Sequence, residues 1–106
     1  MLEQLEKEVV QWAIDKGIPL NQLNALKQLG KTQEELSELR DEVVACNIVD
    51  GNADHIKLEL GDVLVTLCLQ AAIWDTTLEE CLQLALNKIT KRTGKIVNGV
   101  FVKDGD

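Results

Sequence analysis

The segment KLELGDVLVTLCLQAAIW, Lys57–Trp74, sets the architecture of the chain, because it is apolar in most directions yet carries two acids near its start. At about 100° per residue along a helix, its later polar side chains fall within an arc of roughly 80°. They are Glu59, Asp62, Thr66 and Gln70. The segment therefore predicts the central helix of a bundle, covered on most sides, with one polar line along it.

The composition of the whole chain agrees with a helical bundle. A length of 106 residues is that of one ordinary domain, so a single domain over residues 1–106 is expected. Aromatic residues make up 3% of the chain, tyrosine is missing, and there is a single proline. These features favour helices over a β-sandwich, and the fold class predicted is all-α.

Apolar spacing and capping residues predict the other elements. The first helix is expected at about 2–15, the second at about 21–47, and the fourth from Thr76 or Thr77 to about Arg92. The segment Asp50–Asn52 is the predicted turn before the third helix, and Asn52 is its predicted cap. Asn98-Gly99 lies between two short β-prone runs, which predicts a C-terminal β-hairpin or extended arm.

The charge of the chain excludes several classes of partner. A net charge of −7 and a pI near 4.6 argue against nucleic-acid binding, which depends on basic residues that neutralise phosphates. No window reaches the roughly 18 apolar residues of a membrane-spanning helix. The N-terminus MLEQLEKEVV is acidic, unlike a signal peptide. We therefore expect a cytoplasmic protein with no nucleic-acid or membrane partner.

A second pair of acids lies in KTQEELSELRDEV, where Glu35 and Glu38 are three residues apart and share one helix face. They border the apolar stripe of that helix and can face a neighbour. If the second and third helices pair antiparallel, Glu38 lies nearly level with Asp62, and Glu35 and Glu59 lie about one turn away. The sequence thus predicts four converging carboxylates.

Converging carboxylates need compensation by protons, by bases or by a cation. Oxygen ligands select a hard divalent ion, Mg²⁺ before Mn²⁺ or Ca²⁺, and protein-bound Mg²⁺ usually takes phosphate oxygens from a substrate. Acids are common on solvated helix faces, so one acidic pair alone is weak evidence. Two pairs, one of which interrupts an apolar helix, indicate a metal site that acts on phosphate esters.

Cations are segregated toward the C-terminus. Residues 81–103 contain no acid, whereas five bases lie there: Lys88, Lys91, Arg92, Lys95 and Lys103. Lys88 and Arg92 are four residues apart, which places them on one face at the predicted end of the fourth helix. They can hold phosphates or complement the helix dipole. Trp12 can stack on a nucleobase or pack in the core.

The motifs QLGKTQEELSEL and LELGDVLVTL resemble those of the MazG-like nucleotide pyrophosphohydrolases of the all-α NTP pyrophosphatase superfamily, which carry ExxE followed by ExxD. The flanks VVQWAIDKGI and NKITKRTGKIVNGVFVKDGD resemble those of the short phage or mobile-element members. The resemblance implies Mg²⁺-dependent cleavage of a (deoxy)nucleoside triphosphate between its α and β phosphates, giving monophosphate and pyrophosphate.

By this resemblance, two groups of residues take roles. The metal ligands would be Glu35, Glu38, Glu59 and Asp62. The substrate-binding residues would be Gln28, Lys31, Lys88 and Arg92, with Trp12 added as the stacking candidate. Gly30 departs from the family pattern and leaves the direction of Lys31 open. Either Glu38 or Glu59 can act as the catalytic base, and the sequence does not choose between them.

An apolar central helix needs more cover than three short helices of one chain provide, so a homo-oligomer is expected. The resemblance implies a homodimer or homotetramer that forms an intertwined helical bundle. The alternative function is a non-catalytic helical interaction module, such as an antitoxin-like or adaptor bundle. The four acids favour the enzyme, because a bundle selected only for packing gains nothing from Glu59 and Asp62 in its interior.

Overall fold

The computed structural model describes residues 1–49 and 53–105, which form four α-helices and a two-stranded hairpin. The helices are α1 (Leu2–Lys16), α2 (Ala25–Val49), α3 (Ala53–Ile73) and α4 (Leu78–Ile89). The strands are β1 (Gly94–Val97) and β2 (Val100–Lys103). The predicted all-α fold with a C-terminal hairpin is confirmed. The predicted turn at Asp50–Asn52 and its capping residue lie outside the described residues.

The break after α1 is made by Gly17, whose φ of 81° is in the left-handed region that favours glycine. Its backbone N–H donates to the Ile14 carbonyl at 3.0 Å, and the Ile18 N–H donates to the Ala13 carbonyl at 3.0 Å. These bonds satisfy carbonyls that the end of the helix leaves open. A short 3-10 turn, Gln22–Asn24, then leads into α2.

Helices α2 and α3 form an antiparallel pair. Gln70, late in α3, donates from Nε2 to the carbonyl of Ala25, the first residue of α2, at 3.1 Å. Near the other end of the pair, His55 Nδ1 lies 3.8 Å from Glu42 Oε2. The predicted pairing of these helices is therefore confirmed, and α2 continues through Gly30 without a break.

The core is centred on the C-terminal half of α3. The buried residues of this helix are Val63, Thr66, Cys68, Leu69, Ala71 and Ile73. Toward its start, Leu58 and Leu60 are exposed. The expectation that α3 is covered on most sides is therefore wrong for its N-terminal half in a single chain. The predicted polar line does not act as one surface. The Thr66 hydroxyl is buried and donates to the Val63 carbonyl of its own helix, whereas Gln70 binds α2.

Helix α4 is held at its N-terminus and little elsewhere. Thr77 caps it by accepting from the Glu80 N–H at 3.1 Å. Glu6 of α1, only 6% exposed, accepts from the Leu78 N–H at 2.7 Å. No residue of α4 is buried. The helix ends at Ile89, three residues before the predicted end.

The hairpin forms at the predicted place. Asn98 and Gly99 have φ of 51° and 80°, as a type I′ turn requires at both central positions. Ile96 pairs with Phe101 across the strands, and Val97 pairs with Val100. All eight strand residues are exposed.

The single chain is expanded for its length. Its radius of gyration is 16.4 Å, whereas a compact domain of this length has about 13 Å. Among the described residues, no large side chain is fully buried. Much apolar surface thus remains to be covered.

No helix in the described ranges has both the length and the apolar character needed to cross a bilayer.

Candidate metal and nucleotide site

Three of the four predicted acids meet between α2 and α3. Glu35 and Glu38 lie one turn apart on α2, and Glu59 projects from α3. One carboxylate oxygen from each lies within 4.8 Å of the others. Oxygens that share an Mg²⁺ ion at about 2.1 Å are at most about 4.2 Å apart, so small side-chain movements suffice to bring these three onto one ion.

Two oxygens of this cluster are shielded from water and lack a partner. The Glu35 side chain is only 12% exposed, Glu59 is half-buried, and Glu38 is exposed. Within the described ranges, neither Glu35 Oε2 nor Glu59 Oε2 has a hydrogen-bond partner. A shielded carboxylate oxygen without a donor is costly. The donor set and these orphaned oxygens therefore fit a divalent cation.

The proximity of the acids changes their affinity for protons. The hydrogen bond to Glu35 raises the pKa of Glu38 above its ordinary 4.5, and the charge of Glu35, desolvation and the charge of Glu59 add to this in that order. Burial is the main reason that the pKa of Glu59 is raised, and the charge of Asp62 adds to it. Without a metal, Glu38 and Glu59 therefore hold their protons more tightly than isolated carboxyls do.

One lysine partly compensates the cluster. Lys31 Nζ lies 3.3 Å from Glu34 Oε1 and 3.6 Å from Glu35 Oε1. Its hydrogen bond to Glu34, with the charge of that residue, raises the pKa of Lys31. Despite the neighbouring Gly30, Lys31 points toward the acids. A single half-exposed amine does not balance three carboxylates.

Asp62 is placed differently from the prediction. It is exposed and does not belong to the group of three, although it lies close enough to Glu59 to raise the pKa of that residue. The predicted register placed Asp62 level with Glu38, and this is wrong. The two contacts that set the register of α2 against α3 place Glu38 nearly level with Glu59, and Asp62 nearly level with Glu35.

A cleft of about 450 Å³ adjoins the cluster. Its lining includes Trp12 of α1, Gln28 and Lys31 of α2, and the two acids Glu35 and Asp62. Gln28 Oε1 is shielded and has no hydrogen-bond partner in the described part of the chain. The cleft therefore combines an aromatic face, an unsatisfied amide, a cation and the acids.

Lys88 and Arg92 do not line this cleft. Lys88 is in the last turn of α4, and Arg92 lies beyond its end, because the helix stops at Ile89. The Thr90 hydroxyl donates to the Asn87 carbonyl at 3.3 Å, which helps to close the helix there. The prediction of one shared helix face for these two cations is therefore wrong.

Two residues were missed from the sequence, one in the cleft and one that packs α4 against α1. Lys27 also lines the cleft, and its spacing of four from Lys31 on one helix was the signal that could have found it. Glu6, which anchors α4, carries no such signal, since its partner Leu78 is 72 residues away.

The raised pKa values predict how the stability of the metal-free protein depends on pH. Glu38 and Glu59 hold protons more tightly in the folded than in the unfolded chain. Their contribution to stability is full below about pH 4.5 and is lost as the pH rises through the raised values. In EDTA, the melting temperature should fall over this interval, as measured by circular dichroism.

Glu38→Gln should flatten this fall, whereas Asp41→Asn, at an exposed position of the same helix, should keep it. Equal slopes for the wild type and Glu38→Gln would contradict the assignment.

Comparison with known proteins adds the family. No match to the chain is found among the curated proteins or among the solved structures. The family model of the MazG nucleotide pyrophosphohydrolase domain matches residues 24–97, which include all four acids and Gln28, Lys31, Lys88 and Arg92. This family is generally dependent on divalent metals, in agreement with the acidic cluster. Since the match covers more than half of the sequence and contains the acid-bearing helix pair, the chain belongs to the MazG nucleotide pyrophosphohydrolase family.

Proposed function

We propose that this protein hydrolyses (deoxy)nucleoside triphosphates between the α and β phosphates and releases the monophosphate and pyrophosphate, with Mg²⁺ as its cofactor. The observation that carries the proposal is the meeting of Glu35, Glu38 and Glu59 within 4.8 Å, beside a cleft of nucleotide-binding character. Mn²⁺ is the expected substitute, because it shares the preference for oxygen ligands.

We propose that three of the acids bind the metal directly and that the fourth has a supporting role. Glu35, Glu38 and Glu59 would hold the ion directly, since their oxygens already converge. Asp62 would join by a side-chain rotation or act through a water molecule, because it lies beside Glu59 at the rim of the cleft. When bound, the metal supplies positive charge for the phosphate oxygens and makes the attacking water more acidic.

A carboxylate of the cluster would accept the proton of the attacking water. The acceptor would be a carboxylate oxygen that does not itself bind the metal, because a bound cation lowers the basicity of the oxygen that holds it. We assign the role to Glu38 before Glu59, because Glu38 is exposed to the solvent from which the water comes.

The cleft residues are proposed to position the nucleotide. Trp12, 46% exposed, offers an indole face on which any base can stack. The unpartnered Gln28 oxygen would accept a hydrogen bond from the nucleoside. Lys31 would exchange its ion pair with Glu35 for one with a phosphate of the substrate.

Lys88 and Arg92 are proposed to bind phosphates in the site of a second copy. Both are exposed and, in the described part of the chain, form no ion pair. A homodimer or homotetramer would bring them to another cleft and would also cover the exposed start of α3. The protein is proposed to act in the cytoplasm, where nucleotide pools are found.

Arg92→Ala should raise the KM for the triphosphate about tenfold or more, because a charge-assisted hydrogen bond to phosphate is worth about 1.5–3 kcal/mol. The kcat should change less than the KM. Steady-state pyrophosphate release measures both. Lys91→Ala is the matched control, since it removes a neighbouring exposed cation that has no proposed role. An unchanged KM in Arg92→Ala would contradict the assignment.

Incubation with each NTP and dNTP in Mg²⁺, with detection of pyrophosphate, tests the proposed activity. We expect pyrophosphate and the monophosphate from at least one of them, and orthophosphate from none. The alternative, a non-catalytic interaction module such as an antitoxin-like or adaptor bundle, predicts no product from any nucleotide.

A further inference from the structure

We propose that the C-terminal hairpin of one copy docks in the groove between α1 and α3 of a second copy. This inference rests on the homo-oligomer proposed above and does not depend on the proposed catalytic roles. The hairpin arm is defined as Gly94–Lys103, and the receiving groove as the cavity of about 600 Å³ between α1 and α3.

The hairpin arm carries apolar surface that its own chain leaves open. Its paired residues Ile96 and Phe101 are 68% and 49% exposed. The second face carries Val97, Val100 and Val102, which are exposed as well. An isolated two-stranded hairpin is marginally stable at best in water. The arm therefore needs a surface to cover it.

The groove has the complementary character. Its walls are largely aliphatic and aromatic. They include Leu5, Val9 and Trp12 from α1, and Leu64 and Val65 from α3. Leu5 and Leu64 are 55% and 47% exposed. A groove of this kind accepts side chains such as those of Ile96 and Phe101.

The charges of the hairpin arm and of the groove are also complementary. The groove is bordered by the exposed acids Glu8 and Asp62, whereas the hairpin arm carries Lys95 and Lys103 and no acid before Asp104. In the described ranges, neither lysine forms an ion pair. An apolar arm with basic flanks thus fits an apolar groove with acidic borders.

A second copy is favoured over an unrelated protein because both surfaces belong to the same chain. In a twofold dimer each copy gives its arm and receives that of its partner, so both open surfaces are covered in both copies. Trp12 and Asp62 line the groove and also the nucleotide cleft. The docked arm would therefore border the site of the second copy.

Cross-linking of the intact protein tests the docking directly. Isotopically light and heavy copies are mixed, and a zero-length reagent that joins amines to carboxylates is added. We expect mixed-isotope peptides that join Lys95 or Lys103 to Glu8 or Asp62. Mixed peptides that join only other regions, or an absence of mixed peptides, would overturn the proposal.

Two variants provide an independent test by sedimentation. Phe101→Asp and Leu5→Asp, one on each side of the contact, should each weaken self-association by about tenfold or more, with helical circular dichroism preserved. Ile14→Asp is the matched control, because Ile14 is an exposed apolar residue of α1 outside the groove. Dissociation by Ile14→Asp but not by the other two would overturn the proposal.

These two experiments test the docking separately from the proposed activity. Cross-links and sedimentation do not require turnover. An inactive protein with the expected cross-links would refute only the activity, and an active protein without them would refute only the docking.

Discussion

Glu38→Gln is expected to reduce pyrophosphate release by about a hundredfold or more, the scale of a lost general base. The substitution keeps the size of the side chain but removes both a ligand charge and the proposed proton acceptor. Glu38 is exposed, and the hydrogen bond to Glu35, together with the charge of that residue, raises the pKa of Glu38. Glutamine can keep a hydrogen bond to Glu35 and carries no charge, so the variant should fold at least as well as the wild type without metal. Steady-state assays and circular dichroism measure the two effects.

Asp41→Asn is the control for this loss of activity, since it removes one charge from an exposed position of α2, three residues further on. It should retain nearly full activity. A Glu38→Gln enzyme with at least half of the wild-type rate would remove the basis for assigning the cluster to catalysis. A protein that is inactive as wild type would instead favour the interaction module.

Removal of divalent metal is expected to abolish turnover and to lower the melting temperature. A ligand present at 100 times its dissociation constant stabilises the folded state by about 2.7 kcal/mol, and here it would also relieve the repulsion among Glu35, Glu38 and Glu59. Activity should return with Mg²⁺ and, by the same ligand chemistry, with Mn²⁺. Pyrophosphate assays and thermal unfolding in EDTA, before and after metal is restored, measure this.

Stabilisation by Mg²⁺ should grow with pH, because binding competes with the protons that Glu38 and Glu59 hold more tightly than usual. Glu59→Gln should lose most of this stabilisation, and Glu79→Gln, at an exposed position of α4, should keep it. Full activity in excess EDTA, or equal Mg²⁺ stabilisation of both variants, would contradict the metal site.

The helices and the hairpin could be predicted because their signals are local. Leu and Val recur at the helical period, Thr77 precedes Glu80 as a cap should, and Asn98-Gly99 supplies the two positive φ angles of the turn. The acidic pairs were visible for the same reason, since residues three apart share a helix face whatever the helix packs against.

The membership of the acidic cluster was decided by the packing of α2 against α3. The sequence predicted that Glu38 lies level with Asp62, whereas in the structure Glu38 is grouped with Glu59. The two arrangements differ by about one helical turn in the position of α3 along α2. No local signal encodes that register, because it depends on how whole helix surfaces interlock.

Sequence alone determined the secondary structure, the spacing of the acids and the segregation of the cations, because each depends on residues only a few positions apart. Tertiary structure alone decided that Glu59 joins the cluster, that Asp62 stays at the rim, and that Glu6 anchors α4 across 72 residues. It also decided which apolar surface one chain leaves open. These outcomes come from contacts between distant segments, which only the packed helices bring together.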